Sequence, residues 1–184
     1  MATILINAEN ALNKIQASKA NVGFMENATY PDGLPVAAVA FWNEYGTTHS
    51  IEEHLQTIYR SLNVATGSFN KNGKFVKKSR SNYETTHKVD AYSFSIPPRP
   101  FFRNAISQNK DKWMKQLKND IASNLDSKKS LSAVGLLVRD DIIESIIEFK
   151  IPENRPSTVR KKGFNKPLIG KKPQMVNSVT FTVS

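Results

Sequence analysis

Residues 101–149 read FFRNAISQNKDKWMKQLKNDIASNLDSKKSLSAVGLLVRDDIIESIIEF, and their spacing decides the fold. In the first half, Phe102, Ile106, Trp113, Leu117, Ile121 and Leu125 recur mostly four apart, with Lys and Asp between them. That period lines them along one stripe of an α-helix from Phe101 to about Leu125. In the second half Leu131, Val134, Val138, Ile142, Ile146 and Phe149 repeat the pattern, with Ser130 placed as an N-cap and Pro152 beyond the end. Two amphipathic helices in succession are expected to pack stripe against stripe.

Upstream, Tyr92, Phe94 and Ile96 alternate as a strand does, and Pro97-Pro98-Arg99-Pro100 ends it, because proline donates no ladder hydrogen bond and suits the first position of the next helix. Val36 to Tyr45 is rich in alanine and long apolar side chains, which predicts a helix closed by Gly46 in a left-handed cap. Ala20 to Met25 reads as a short strand followed by the turn-rich segment 26–35, and Ile4, Leu5, Ala8, Ala11, Leu12 and Ile15 mark an earlier helix over Thr3 to Lys19. Downstream, a short helix is expected after Pro156. Ser178 to Val183 alternates as a half-buried strand that can pair with Ala20 to Met25.

Between Thr47 and Ser95 the sequence is polar, basic and serine-rich. Asn72-Gly73 lies between Phe69 and Phe75-Val76, so a hairpin with a primed turn is expected at that dipeptide. The fold class is therefore α+β, a small antiparallel sheet packed by two long amphipathic helices. It forms one domain over residues 1–184, with residues 47–95 an extended β-rich arm.

Composition bounds the chemistry. With 184 residues the chain can bury one core. No apolar run approaches the roughly 18 residues that span a bilayer, and Met1 to Ile15 lacks the features of a secretory signal, so synthesis in the cytoplasm and no membrane partner are expected. The absence of cysteine excludes disulfides, thiolate zinc sites and cysteine nucleophiles. His49 and His54 are five residues apart, and on a helix that spacing turns ligands about 140° away from each other, so no metal is expected. Asp140-Asp141 and Glu52-Glu53 are neighbours that read as solvated charges, and neither a nucleophile elbow nor a phosphate-cradling glycine loop is present. Neither an enzyme nor a cofactor is expected. Trp42, Tyr45, Phe101 and Phe102 are expected in the core.

The net charge of +10 is concentrated in two acid-free blocks. One, from His54 to Tyr83, holds Arg60, Lys71, Lys74, Lys77, Lys78 and Arg80. The other, from Asn154 to Ser184, holds Arg155, Arg160, Lys161, Lys162, Lys166, Lys171 and Lys172. Apart from Arg60, these are the candidate residues for meeting a partner protein or DNA, against the plainer alternative of a solvated face. Phe69, Phe75 and Tyr83 among the lysines keep a DNA-binding protein as the alternative of another class.

Four blocks, taken in order, carry a resemblance. They are Val36 to Gly46, ending Glu44-Tyr45-Gly46; Ile96-Pro97-Pro98-Arg99-Pro100-Phe101-Phe102-Arg103; Pro156 to Gly163; and Lys166-Pro167-Leu168-Ile169. Together they resemble the tail-completion or head-tail joining proteins of long-tailed phages, of the lambda protein Z type. Two departures are visible. Gly170-Lys171-Lys172-Pro173 stands where the family has an Asp-Thr-Gly turn, and residues 47–95 exceed its usual connection. The resemblance implies a structural virion protein in the neck, a ring of copies expected to be a hexamer, with tail terminator and head-tail connector proteins as partners. It also implies DNA passing through the lumen, where only loose contact suits passage, because each gripped phosphate adds binding free energy. A tail terminator or a head-tail stopper is the nearest alternative.

Overall fold

The computed structural model describes residues 18–124 and 126–184, apart from the side chains of Lys71 and Asn124. In chain order the elements are β1 (Ala20–Phe24), α1 (Val36–Tyr45), β2 (Thr47–Ile51), β3 (His54–Arg60), β4 (Leu62–Asn63), β5 (Ser68–Phe69), β6 (Tyr83–Val89) and β7 (Tyr92–Ile96). Then follow α2 (Phe101–Asn124), α3 (Ser127–Ile147), α4 (Pro156–Lys162), α5 (Gln174–Asn177) and β8 (Val179–Val183). The class is α+β. The chain divides into two compact units, residues 48–95 and the remainder.

In the larger unit β1 and β8 pair antiparallel, from Ala20 opposite Val183 to Phe24 opposite Val179, as the alternation of both segments requires. Lys19 and Ser184 exchange two further backbone hydrogen bonds at 2.8 and 2.9 Å. Lys19 therefore belongs to the ladder and not to the helix expected up to it; the rest of that helix, but for Ser18, lies outside the described residues. α3 lies across this ribbon and α2 packs on α3. The core joins Val36 and Ala40 of α1, Phe101 and Ala105 of α2, Ile142 and Ile146 of α3, and Leu168, Met175 and Val179 from the C-terminal segments.

Two details of the long helices differ from expectation. Phe101 and Ala105 face the core, while Ile106 is turned to the surface. The closest approach is made by the small Ala105, which a search for bulky apolar residues passes over. α3 is capped by Asp126 rather than Ser130: an Asp126 carboxylate oxygen accepts the Lys129 N–H at 3.1 Å, and the negative charge suits the positive helix end. Ser130 is then an interior, buried residue whose hydroxyl has no partner. Small side chains on this face let the helix approach the ribbon. A Cβ added to Gly135 would stand 2.6 Å from Cδ2 of Phe181 on β8.

The smaller unit is built of strand pairs, β2 with β7 and then β3 with β6, the latter antiparallel with His54 opposite Val89 and Arg60 opposite Tyr83. Its hairpin tip is β4 with β5, not Asn72-Gly73. Asn63 takes the turn instead, because its side-chain oxygen accepts the Ala65 N–H at 3.0 Å. Asn72 and Gly73 do adopt the positive φ of 54° and 74° expected of them, but within a 3-10 turn. Two strands alone are marginal in water, and side-chain clamps reinforce them. Asn82 bonds both backbone groups of Leu62, at 2.7 and 2.8 Å, and the Arg60 guanidinium lies 5.3 Å from the Phe69 ring and 5.4 Å from the Phe75 ring.

Candidate functional site

The start of α2 poses a problem that is visible in its residues. Pro100-Phe101-Phe102-Arg103 offers no Ser, Thr, Asp or Asn to accept the first free N–H groups of the helix. Glu44, from the last turn of α1, supplies the acceptor. Its carboxylate takes the Phe102 N–H at 2.8 Å and the Arg103 N–H at 3.1 Å, while Arg103 donates from Nε to the carboxylate at 2.8 Å and from Nη2 to the Glu44 carbonyl at 2.9 Å. Glu44 is only 5% exposed, so its charge is balanced locally by Arg103 and by the positive end of α2.

Asn43 secures the preceding loop. Its carbonyl accepts the Arg99 N–H at 2.6 Å and its Oδ1 accepts from Arg99 Nη1 at 3.1 Å. Gly46 then leaves α1 with φ 74° and ψ 167°. The positive φ was expected, but the extended ψ replaces a left-handed cap, since the chain runs straight into β2; that combination is open almost solely to glycine. A Cβ here would lie 2.9 Å from both the Ile96 carbonyl oxygen and the Pro98 nitrogen. Gly46→Ala is expected to lower stability by about 2 kcal/mol, from backbone strain and the displaced loop. A urea midpoint unchanged from that of the native chain would show that the joint tolerates the extra carbon.

On its outer side this joint opens into a groove of about 270 Å³. Phe24 and Phe102 form the floor, and Phe41, Tyr45 and Ile106, exposed by 60%, 56% and 41%, stand around it. The Phe41 and Tyr45 rings are 4.8 Å apart and the Arg103 guanidinium is 5.0 Å from the Tyr45 ring centre. α1 carries neither Lys nor Arg, and Arg103 is matched by Glu44. The groove is thus a largely apolar patch without net charge on a chain of net charge +10. Its one carboxylate is occupied by helix N–H groups and a guanidinium, so the arrangement is suited to adhesion.

No family model, curated protein or solved structure matches the chain. The four sequence blocks Val36 to Gly46, Ile96 to Arg103, Pro156 to Gly163 and Lys166 to Ile169 lie in the larger unit. Val36 to Gly46 and Ile96 to Arg103 build the joint, Leu168 from the fourth block is in the same core as Val36 and Phe101, and Lys162 of the third lies close enough to feel the charge of Arg99.

The candidate basic residues are divided between the two units. Lys74, Lys77, Lys78 and Arg80 are exposed on the smaller unit, where Lys78 lies 5.9 Å from the Tyr59 ring; Lys71 is on the same unit. Arg155, Arg160, Lys161, Lys166, Lys171 and Lys172 are exposed on the larger unit, and Lys162 is half-buried. Of the aromatics offered for DNA contact, Phe69 is engaged edge-on with Tyr83 at 5.3 Å, and with Phe75 it holds Arg60. Among the described residues no group of three or more His, Asp or Glu converges to hold a metal. No helix among them is long and apolar enough to cross a membrane.

Two expectations about side chains are corrected. Tyr45 is not core but surface, whereas Phe101 is almost wholly buried. Asp141 is not a solvated charge: it is buried between α2 and α3, accepting from Trp113 Nε1 at 2.6 Å and from Lys112 Nζ at 2.9 Å. Adjacent residues on a helix face different ways, so Asp140 remains outside, paired with Arg139. The residues that sequence reasoning missed are Asn43, Glu44, Arg103 and Asn154. The uncapped start of α2 was the available signal for Glu44.

Proposed function

We propose that the protein is a structural virion component, a tail-completion subunit that acts in the phage neck by joining copies of itself into a ring between the capsid connector and the tail terminator. The observation that supports this reading is the joint itself, where two of the blocks resembling tail-completion proteins, Val36 to Gly46 and Ile96 to Arg103, line an exposed and largely apolar groove without net charge. Subunits of charge +10 repel wherever their basic faces meet, and a neutral patch is where copies can approach and bury apolar surface. The occupant of the groove is therefore a second copy of this chain, and the basic segments are left for partner rings and for a loose lining of the DNA passage.

The test is a phage lacking this gene, viewed by electron microscopy of its lysate. Full heads separated from complete tails are expected. Intact, infectious particles without the protein would end the proposal.

A further inference from the structure

Around Arg99 donors outnumber acceptors. The guanidinium is held between two neutral amide oxygens, Oδ1 of Asn43 at 3.1 Å and Oδ1 of Asn154 at 3.4 Å, and no carboxylate among the described residues pairs with it. Nε of Arg99 and Nδ2 of Asn154 are both buried without a partner, although buried donors are normally satisfied. The acids adjoining this region are engaged elsewhere, Glu153 by Asn165 at 3.1 Å and Glu148 by Lys166 at 4.0 Å. A second cation adds to the imbalance. Lys162 donates to the Lys166 carbonyl at 2.6 Å, and its pKa is lowered first by burial and then by Arg99; burial also lowers that of Arg99. A cation held low by burial and by a neighbouring cation, beside two donors lacking acceptors, is what an anion site presents when its anion comes from another molecule.

We infer that Arg99, Asn154 and Lys162 form a receptor for one carboxylate side chain of a partner protein. Such a group brings two acceptor oxygens and one negative charge, matching a planar guanidinium and a neighbouring ammonium. A duplex phosphate is the poorer fit. Arg99 is held back by two asparagines and Lys162 is tied to a carbonyl, whereas the cations that project from the same segment are Arg155, Arg160 and Lys161. The site shares no lining residue with the apolar groove and does not depend on the ring proposal.

Malonate serves as the probe, with melting temperature read against sodium chloride at equal ionic strength. The native chain is expected to gain about 5 °C along a saturating curve. Lys162→Met should lose that gain, and Lys161→Met, altered one residue away at an exposed position, should keep it. Asn154→Asp supplies the carboxylate from within and replaces the orphan donor by an acceptor, so it should melt higher than the native chain in chloride and no longer respond to malonate. An equal rise in all variants is a bulk effect of the salt and overturns the site. So does a lower melting temperature for Asn154→Asp, and a DNA duplex of about 20 base pairs that competes with malonate would overturn the assignment to carboxylate.

Discussion

Glu44→Ala is expected to destabilise the protein by about 3–4 kcal/mol. Hydrogen bonds to a charged acceptor contribute about 1.5 kcal/mol or more each when the donors are shielded from water, and Glu44 makes two to the first turn of α2. The pair with Arg103 adds less than about 1 kcal/mol, because more than half of that side chain is open to solvent. Removing the carboxylate leaves the Phe102 and Arg103 N–H groups with no local side chain to turn to, and α2 has no cap of its own. For a chain of this length the melting temperature should fall by roughly 10 °C. Glu44→Gln separates charge from shape: its amide keeps one acceptor oxygen but turns an NH₂ toward the guanidinium, so about half the loss should remain. A melting temperature within a degree of the native chain for Glu44→Ala would show that α2 is not held by α1.

The legibility of this molecule follows from how local each determinant is. Periodicity placed α2, α3 and the pairing of β1 with β8, since each is set by the spacing of its own apolar side chains and by the need to bury them, and α1 was legible from its helix-favouring composition. The rotation of α2 was misread by one residue because the contact that fixes it is made by Ala105, whose smallness allows the approach but contributes little to an apolar pattern. Asp126 and Ser130 are both competent caps in sequence. The choice between them rests on where α3 must begin to bury Ser127 and Ser130 and to lay Gly135 on the ribbon, which is a tertiary requirement. At the candidate site the distance in sequence is greater still. Glu44 and Phe102 are 58 residues apart, and Arg99 and Asn154 are 55 apart, so only the missing cap at Phe101 announced that a remote side chain was needed. The aromatic side chains divide for the same reason: adjacent Phe101 and Phe102 differ in burial because a helix turns about 100° between them.

Phe41→Asp is expected to abolish self-association while leaving the fold in place. The side chain is 60% exposed, and within the subunit its main aromatic contact is Tyr45 at 4.8 Å, worth about 1 kcal/mol at most. In a seam between copies the same position is different. An aromatic anchor at the centre of a buried patch contributes about 2 kcal/mol or more, and an unpaired carboxylate forced into that seam costs about as much again. The sum, about 4 kcal/mol, corresponds to a loss approaching roughly a thousandfold in association constant, since each 1.4 kcal/mol is about tenfold. Sedimentation should therefore show an oligomer for the native chain and a monomer for Phe41→Asp, with matching circular dichroism. Leu55→Asp, which places the same charge on an exposed apolar residue of the smaller unit, is the control and should sediment as the native chain does. If instead Leu55→Asp dissociates the oligomer and Phe41→Asp does not, the copies meet through the inserted ribbon, and the groove between α1 and α2 serves some other partner.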